Sequence, residues 1–487
     1  MKPVSAIVLS PDNRAEALCA RLAHSPRIST VIVVQPNPGK NYSSEVRLIE
    51  GTHPPGGREI NHALELVGHD ALLLIITQPR LELEETELQT LVNRASENPD
   101  AAMLYSDFFA GSRRHIRPLI PYQNGSIRND FFFGPLQLYR REKITRALHD
   151  HGPLNPNTCS GLYELRLKVS CVGPIRHVAE PIGCVPAEEH EQQNHFAYVD
   201  PANNERQQEM ERIATEHLKR IGALCRMPPR SFSTRANGWP VETSVVIPVR
   251  DRCRTVAEAI QSALDQQTTF SFNVLMVDNY STDGTTDIIR RFARKDSRVV
   301  HIIPAATGLG IGGCWNMAVS SEQCGRFVCQ LDSDDLYASS RTLARMTEPL
   351  QQGCGMVVGS YRLVNFSLED IPPGIVDHRE WTPENGRNNL LRVQGIGAPR
   401  AFATELLRAH PFPDVSYGED YAVALRISRN YRVGRVYEPL YLCRRWEDNT
   451  DTRIPVEQAN RFAFFKDTLR TQEIKQRQEH NASDSGR

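Results

Sequence analysis

Residues Ser244 to Val249 read SVVIPV, an apolar run rich in β-branched residues that predicts a buried strand. A polar turn follows at Arg250 to Arg254. VAEAIQSALDQQ then sets Val256, Ile260, Ala263 and Leu264 at helical spacing. NVLMVDN returns to an apolar run and ends at Asp278 and Asn279, YSTDGT makes a turn, and TDIIRRFARK opens another helix. Strand, helix, strand, helix at this spacing predicts βαβ units and a parallel sheet. FVCQL is a further buried strand, and it runs into Asp332, Asp334 and Asp335. Two strands therefore end in polar residues on one edge of the sheet, where open α/β sheets bind ligands.

The rest of the second half continues the pattern. Thr307 to Val319, TGLGIGGCWNMAV, predicts a glycine turn that feeds a helix; a dinucleotide site is discounted because no ribose-binding acid follows at the expected offset. VSYGEDYAVALRIS places Glu419 and Asp420 in the first turn of a helix, where acids complement the macrodipole. RVGRVYEPLYLCRRWEDNT predicts a short strand, a Glu-Pro turn and a second strand running into Arg444, Arg445 and Trp446.

The order VVIPV, VDNYSTDGT, GIGGCWNMAV, LDSDD, GEDY and CRRW resembles a family 2 glycosyltransferase with the GT-A fold, over roughly residues 243–449. The resemblance implies an α/β architecture of Rossmann-like GT-A type, with a mostly parallel central sheet flanked by helices. It implies that Asp332 approaches the ribose of a nucleotide-sugar donor and that Asp334 ligates a divalent metal, Mn²⁺ or Mg²⁺, with Asp335 in support. Asp278 and Asn279 fall where the family holds the donor base, beside Pro248 and Arg250 of the first turn, with Arg250 available to stack. Asn316 falls on a residue that supports the D-x-D strand. Asp420 falls on the general base, with Glu419 beside it. Arg444 or Arg445 would neutralise the diphosphate or bind an acidic acceptor. Trp446 stands where many relatives place a His metal ligand, and is expected to pack under the site or stack on the acceptor. The implied reaction is inverting, metal-dependent hexosyl transfer to an acceptor hydroxyl, from a UDP-sugar before a GDP-sugar. The rival is a non-catalytic carbohydrate- or nucleotide-binding protein. A sugar-nucleotide pyrophosphorylase ranks low, because PVRDRCRTV lacks the glycines of that class. Acceptor choice is expected in loops such as Phe366 to Arg387, with His378, Arg379, Glu380 and Trp381.

The first half repeats the frame of the second. SAIVLSPDNRAEAL parallels SVVIPVRDRCRTV, and HDALLLIITQPRLELEETELQTLV parallels CGRFVCQLDSDDLYASSRTLARM. SGLYELRLKVS parallels GEDYAVALRIS, and HVAEPIG parallels RVYEPLY, in one common register. The acids are lost: Gln35 or a neighbour stands for Asp278, Thr77, Gln78 and Pro79 stand for the D-x-D, and Leu162 stands for Asp420. Residues 1–190 are therefore expected to form a degenerate, inactive GT-A-like domain that packs on its neighbour, builds part of an acceptor site or makes a homodimer. Residues 191–240 are expected to be a helical linker, 241–450 the catalytic domain, and 451–487 a C-terminal helix ending in a disordered NASDSGR. In the linker, Met210, Ile213, Ala214, Leu218 and Ile221 mark one helical face. EEHEQQNH, with His190 and His195, matches no standard metal spacing.

Composition narrows the class. At 487 residues with 40% hydrophobic and 24% charged residues, the chain is ordinary soluble protein of two or three domains. A net charge of −1 gives no field toward nucleic acid. The longest apolar run, Ala71 to Ile76, is far too short to span a bilayer, and the N-terminus lacks the apolar core of a secretion signal. Eleven cysteines without a C-x-x-C pair point to free thiols in a reducing compartment, the cytoplasm.

Overall fold

The computed structural model describes every residue except 1–3, 38–41, 69–70, 114, 187–203, 234–236, 380, 446–453 and 486–487. The chain divides into two compact units. One comprises Met1–His195, Ala202–Leu224 and Pro455–Thr471; the other comprises Phe196–Pro201, Cys225–Ile454 and Gln472–Arg487.

The sheet of the first unit has strands β1 (Val4–Leu9), β2 (Ile28–Gln35), β3 (Val46–Glu50), β4 (Leu72–Ile76), β5 (Met103–Gly111), β6 (Ile116–Arg117), β7 (Leu136–Arg140) and β8 (Ile175–Pro186). Their order is β3-β2-β1-β4-β7-β5-β6, with β8 also on β5. The sheet of the second unit has β9 (Thr243–Val249), β10 (Phe272–Asp278), β11 (Val299–Ile302), β12 (Phe327–Gln330), β13 (Leu336–Tyr337), β14 (Met356–Val364), β15 (Asp370–Val376), β16 (Arg400–Ala403) and β17 (Val433–Arg444). Their order is β11-β10-β9-β12-β16-β14-β17-β13, with β15 also on β14. In each sheet the first four strands in this order are parallel, the fifth is antiparallel to both neighbours, and the long last strand lies parallel to the sixth. The central strands are buried on both faces, which is why they read as unbroken apolar runs.

The ladders fix which residues correspond. Val34 pairs with Leu9 and Val277 with Pro248, so Gln35 occupies the place of Asp278. Ile75 pairs with Ile7 and Gln330 with Val246. Continuing along the chain, Thr77, Pro79 and Arg80 stand where Asp332, Asp334 and Asp335 stand. The long edge ladders open at Met103–Ile175 and Met356–Val433, and both slip where a Glu-Pro pair interrupts them, at Pro181 and Pro439. Proline has no N–H to give the ladder. The pattern at 433–444 predicted two strands about a Glu-Pro turn; the structure has one strand that slips and rejoins.

The helix Asn204–Arg220 belongs to the first unit and buries Met210, Ile213, Ala214, His217 and Leu218. The C-terminal helix, Val456–Ser485, runs through residues expected to be disordered. Each added residue contributes one backbone bond to an existing helix, and the Ser483 hydroxyl donates back to the Glu479 and His480 carbonyls at 3.2 and 2.7 Å. Among the described residues no helix is long and apolar enough to cross a membrane. All eleven cysteines are free thiols.

Candidate active site

The D-x-D turn leaves β12 on a tight frame. The Asp335 N–H donates to the Asp332 carbonyl at 3.1 Å, and the Asp332 N–H donates to the Tyr441 hydroxyl at 2.9 Å. Gln330 Nε2 donates to both oxygens of Asp332 at 3.0 Å. The Asp335 carboxylate accepts the Arg444 N–H at 2.8 Å. Burial lifts the Asp332 carboxyl above its ordinary value, against the Gln330 bonds and the charge of Arg400. Burial, then the charges of Asp334 and Asp332, lift Asp335 well above its own. Asp334 retains partial exposure, 16% of its side chain, with Arg252 Nε 3.7 Å from Oδ2.

Arg444 is a brace under this turn. Its side chain is buried; its Nε donates to the Asp334 carbonyl, its Nη1 pairs with Glu258, and it lies over the Phe366 ring. The sequence offers Arg444 as a cation for diphosphate or acceptor; here its Nε and Nη1 hold the D-x-D turn and Glu258. Arg445 donates its N–H to the Val364 carbonyl at 2.8 Å. Trp446 lies outside the described residues.

At the end of β10, Asp278 is almost fully buried. Its Oδ1 accepts the Ser281 N–H at 3.1 Å, and its Oδ2 accepts from the Thr286 hydroxyl at 2.6 Å and His301 Nε2 at 3.3 Å. Burial pushes its pKa up, but the bonds from His301, Thr286 and Ser281 outweigh that and bring it down to about 2. Asn279 donates from Nδ2 to the Leu309 carbonyl at 2.8 Å, while its Oδ1 is buried with no partner among the described residues. The loop at Pro248–Arg254 is tied to the 281–285 turn: Asp251 Oδ1 accepts the Thr282 N–H at 2.7 Å, and the Arg252 N–H donates to Thr285 Oγ1 at 2.7 Å. Asp251 adopts a positive φ of 50°, which Asp tolerates better than most residues. Arg250 is largely exposed beside it.

The glycines of GLGIGG allow close approach rather than a phosphate cradle. A Cβ on Gly312 would land on the Pro413 carbonyl oxygen, and one on Gly310 would lie 2.6 Å from the Val415 carbonyl carbon. The Gly310 N–H donates to Asp414 Oδ1 at 2.7 Å and the Gly312 N–H to the Val415 carbonyl at 3.0 Å. Asn316 completes the dock: its Nδ2 donates to the Phe412 carbonyl at 2.8 Å and its Oδ1 accepts the Phe412 N–H at 3.0 Å. Both arms of Asn316 therefore hold the 412–418 loop, where the resemblance implied support of the D-x-D strand.

That loop delivers Glu419 and Asp420 at the start of the helix Glu419–Asn430, behind Gly418 at φ 85°. Asp420 Oδ1 accepts the Tyr421 N–H at 2.7 Å, and Oδ2 pairs with Arg400 Nη1. Burial works against the charge of Arg400, but Asp420, then Asp332 and Glu419, stabilise it and raise its pKa. Glu419 is buried, and its Oε2 has no hydrogen-bond partner among the described residues. Burial, then the Asp420 charge, lift its pKa to about 8.

The structure thus brings Asp332, Glu419 and Asp420 together around Arg400, with Asp334 and Asp335 on the same turn as Asp332 and Asp278 and Asn279 at the end of β10, two strands from β12. Arg252, Arg400 and Tyr441 are site residues that the sequence reading missed. The nearest signal is an Arg opening the apolar strand RAFA. Trp381 of the 366–387 loop is buried and packs against Gly386, and Glu380 lies outside the described residues. Among the described residues no three His, Cys, Asp or Glu side chains close a ready-made metal cage. Asp332 and Asp334 offer oxygen only, which suits Mg²⁺ or Mn²⁺ entering with a diphosphate and keeping few protein ligands.

Residues 244–404 match the model of glycosyl transferase family 2. The chain is 28% identical over 126 residues to the putative teichuronic acid biosynthesis glycosyltransferase TuaG of Bacillus subtilis, covering 26% of this chain and 49% of that one. It is 26% identical over 194 residues to the UDP-Glc:alpha-D-GlcNAc-diphosphoundecaprenol beta-1,3-glucosyltransferase WfgD of Escherichia coli, covering 40% and 72%. The chain spans about half the length of the first of these relatives. Among solved structures, S. aureus TarS 1-349 in complex with UDP-GlcNAc aligns with a TM-score of 0.40 and 18% identity, over 50% of this chain and 71% of that one. The family match takes in the strands and turns that carry Asp278, Asp332, Asp334 and Arg400, and marks residues 244–404 as a glycosyl transferase family 2 domain.

Proposed function

We propose that the second unit moves a hexose from a nucleotide-sugar donor, UDP- before GDP-, to an acceptor hydroxyl, with inversion and with Mg²⁺ or Mn²⁺. The observation that carries this reading is the single guanidinium of Arg400, paired to Asp420 and within electrostatic reach of both Asp332 and Glu419. Strand-end carboxylates suited to a cation and a helix-start carboxylate suited to a proton meet at one place.

The donor base falls at Asp278 and Asn279. There Asn279 Oδ1, without a partner among the described residues, offers a buried acceptor, and such a group is costly to leave unmatched. Asp334 and Asp332 would hold the divalent cation, which would neutralise charge developing on the diphosphate leaving group. Asp420 takes the proton of the acceptor hydroxyl as its oxygen attacks the anomeric carbon. The bond to the acceptor forms as the bond to the diphosphate breaks, and one displacement inverts the carbon. Arg400 holds the Asp420 carboxylate in place. The E. coli relative is named a UDP-Glc glucosyltransferase, which supports a UDP-sugar. The first unit, with Gln35, Thr77, Pro79 and Leu162 at the corresponding places, takes no part in this chemistry.

Thermal unfolding with UDP-, GDP- and dTDP-sugars, with and without Mn²⁺, tests the reading. All four tryptophans, residues 239, 315, 381 and 446, lie in the second unit's part of the chain, so their fluorescence reports on it. A ligand at about 100 times its Kd stabilises by about 2.7 kcal/mol. A shift with one nucleotide class that needs Mn²⁺ and disappears in Asp334→Ala supports transfer and names the base. No shift with any donor in folded protein overturns it in favour of a non-catalytic binding protein.

A further inference from the structure

In the first unit the chain runs from β1 to β2 and β3 on one side, then crosses to β4 on the other. The crevice outside the carboxyl ends of β1 and β4 is therefore a topological switch point, the place where open α/β sheets take ligands. The second unit fills the equivalent place with its D-x-D turn. In the first unit it holds a cavity of about 440 Å³ lined by Arg14, Arg21, Pro79, Arg80, Glu82 and Pro186, among others. Pro79 and Arg80 stand at the positions of Asp334 and Asp335, and Pro186 closes β8 as Arg444 closes β17.

The polarity of the site is thus reversed. Three guanidinium groups and one carboxylate, Glu82, line this cavity, where the second unit gathers three aspartates. Arg14 reaches Asp12, and Arg21 Nη2 donates to the Leu81 carbonyl at 3.0 Å, which anchors Arg21 beside the 79–82 turn. Asp12 pairs with Arg14 and Glu82 shares the lining, so the three arginines are partly compensated and the lining stays basic, which favours an anion. Guanidinium forks match phosphate oxygens two at a time. With Thr77, Pro79 and Arg80 in place of the aspartates, Glu82 is left to face three arginines, a lining that does not suit a divalent cation. The volume falls within the roughly 300–1,000 Å³ range of small-molecule sites.

We propose that this cavity binds a diphosphate group without a metal ion, whether as a nucleoside diphosphate or as free pyrophosphate. The arginines replace the cation that the second unit uses for the same group. A chain would then hold a second nucleotide whose binding survives removal of divalent metal.

Isothermal titration of the full chain in EDTA, with UDP and separately with pyrophosphate, tests this. One equivalent of each is expected to bind. Arg80→Glu and the double variant Arg14→Ala/Arg80→Ala are expected to weaken both by at least about tenfold, while Asp334→Ala leaves them unchanged. Binding of UDP with pyrophosphate inert overturns the assignment to a diphosphate group. No binding to wild type in EDTA overturns the site, as does binding lost in Asp334→Ala and kept in Arg80→Glu. Arg80→Gln, with unfolding followed by circular dichroism, separates lost charge from lost fold. Because EDTA silences the metal-dependent site, failure here and failure of the transferase reading give different results.

Discussion

Arg400, the first residue of β16, is ion-paired to Oδ2 of Asp420, the second residue of the helix Glu419–Asn430, while the Tyr421 N–H holds Oδ1 at 2.7 Å. Both oxygens of the proposed base are therefore fixed before an acceptor arrives. Arg400→Ala frees one of them and removes the nearest cation from Asp332 and Glu419 as well. The expected result is a fall in kcat of about 100-fold, the order of effect that a small misplacement of a reacting group produces, with a smaller change in donor KM. Arg400→Lys restores the charge without the fork and recovers part of kcat. In an Asp420→Asn background Arg400→Ala adds little, because the two act as a unit. Steady-state kinetics on the four proteins decides it; a fully additive double variant would leave Arg400 as a packing residue only.

Glu419 gives a pH dependence with a definite sign. Its folded pKa is lifted to about 8 from an ordinary 4.5 by burial and then by Asp420. Below pH 4.5 both states carry the proton and the group costs nothing. Between 4.5 and 8 the unfolded chain releases a proton that the folded chain keeps, so stability falls as pH rises through this window, then levels off. Glu419→Gln cannot titrate and escapes the fall. In metal-free protein, Glu419→Gln is expected to gain on wild type by a few kcal/mol, in order of magnitude, between about pH 4.5 and pH 8.5. Denaturant unfolding followed by tryptophan fluorescence measures it, and a pH-independent difference between the two proteins would show that Glu419 titrates as an exposed acid.

Strand-end acids are legible in a sequence because strand and turn are local. SVVIPV, NVLMVDN and FVCQL are continuous apolar runs bounded by polar turns, and the period places Asp278 and Asp332 at their ends without reference to the rest of the chain. Arg400 and Tyr441 are not legible that way. Arg400 reaches Asp420 from a strand that lies beside β12 only after the chain has passed through β14 and β15. Tyr441 meets the Asp332 N–H from a strand that is far off in sequence. Arg444 shows the converse: a cation at the end of an apolar run reads as a ligand group, and only the fold shows that its Nε and Nη1 also brace the turn through the Asp334 carbonyl and Glu258. The Glu-Pro slip in β17 was misread as a turn because Pro439 interrupts the ladder without ending the strand.

Gly312 carries a prediction opposite to its helical setting. In an exposed helix Gly→Ala stabilises by about 1 kcal/mol. Here the added Cβ would land on the Pro413 carbonyl oxygen and lie 3.1 Å from Glu419 Cβ. Backbone cannot swing aside as a side chain does, so the 413–418 loop must move, and Glu419 and Asp420 move with it. Gly312→Ala is expected to destabilise the second unit by about 1–3 kcal/mol, the usual cost of overpacking, and to lower kcat while leaving the Mn²⁺-dependent donor shift in place. Tryptophan-detected unfolding and the thermal shift read the two effects separately; a stabilised variant of normal kcat would mean that the contact is slack.

Asp467 makes the corresponding test of the first unit. It is fully buried on the C-terminal helix and accepts from Ser126 Oγ at 2.9 Å, Arg128 Nε at 3.2 Å and Arg470 Nη1 at 2.7 Å. The three donors are buried too, so removing the carboxylate takes a shared counter-charge from two buried guanidinium groups, while Arg128 keeps Asp130 3.0 Å from its Nη1. Breaking such a group from one side costs about 3–5 kcal/mol, mostly through the unpaired charge left behind. Asp467→Ala is expected to lower the stability of the first unit by that amount. Asp467→Asn, which keeps an oxygen acceptor but not the charge, should fall between Ala and wild type. Tryptophan fluorescence does not report on this unit, so the measurement is hydrogen exchange at the amides of β1 and β4, the strands buried at its centre. Protection there that does not change in Asp467→Ala would show that the helix contributes packing area to the first unit and its ion group contributes nothing.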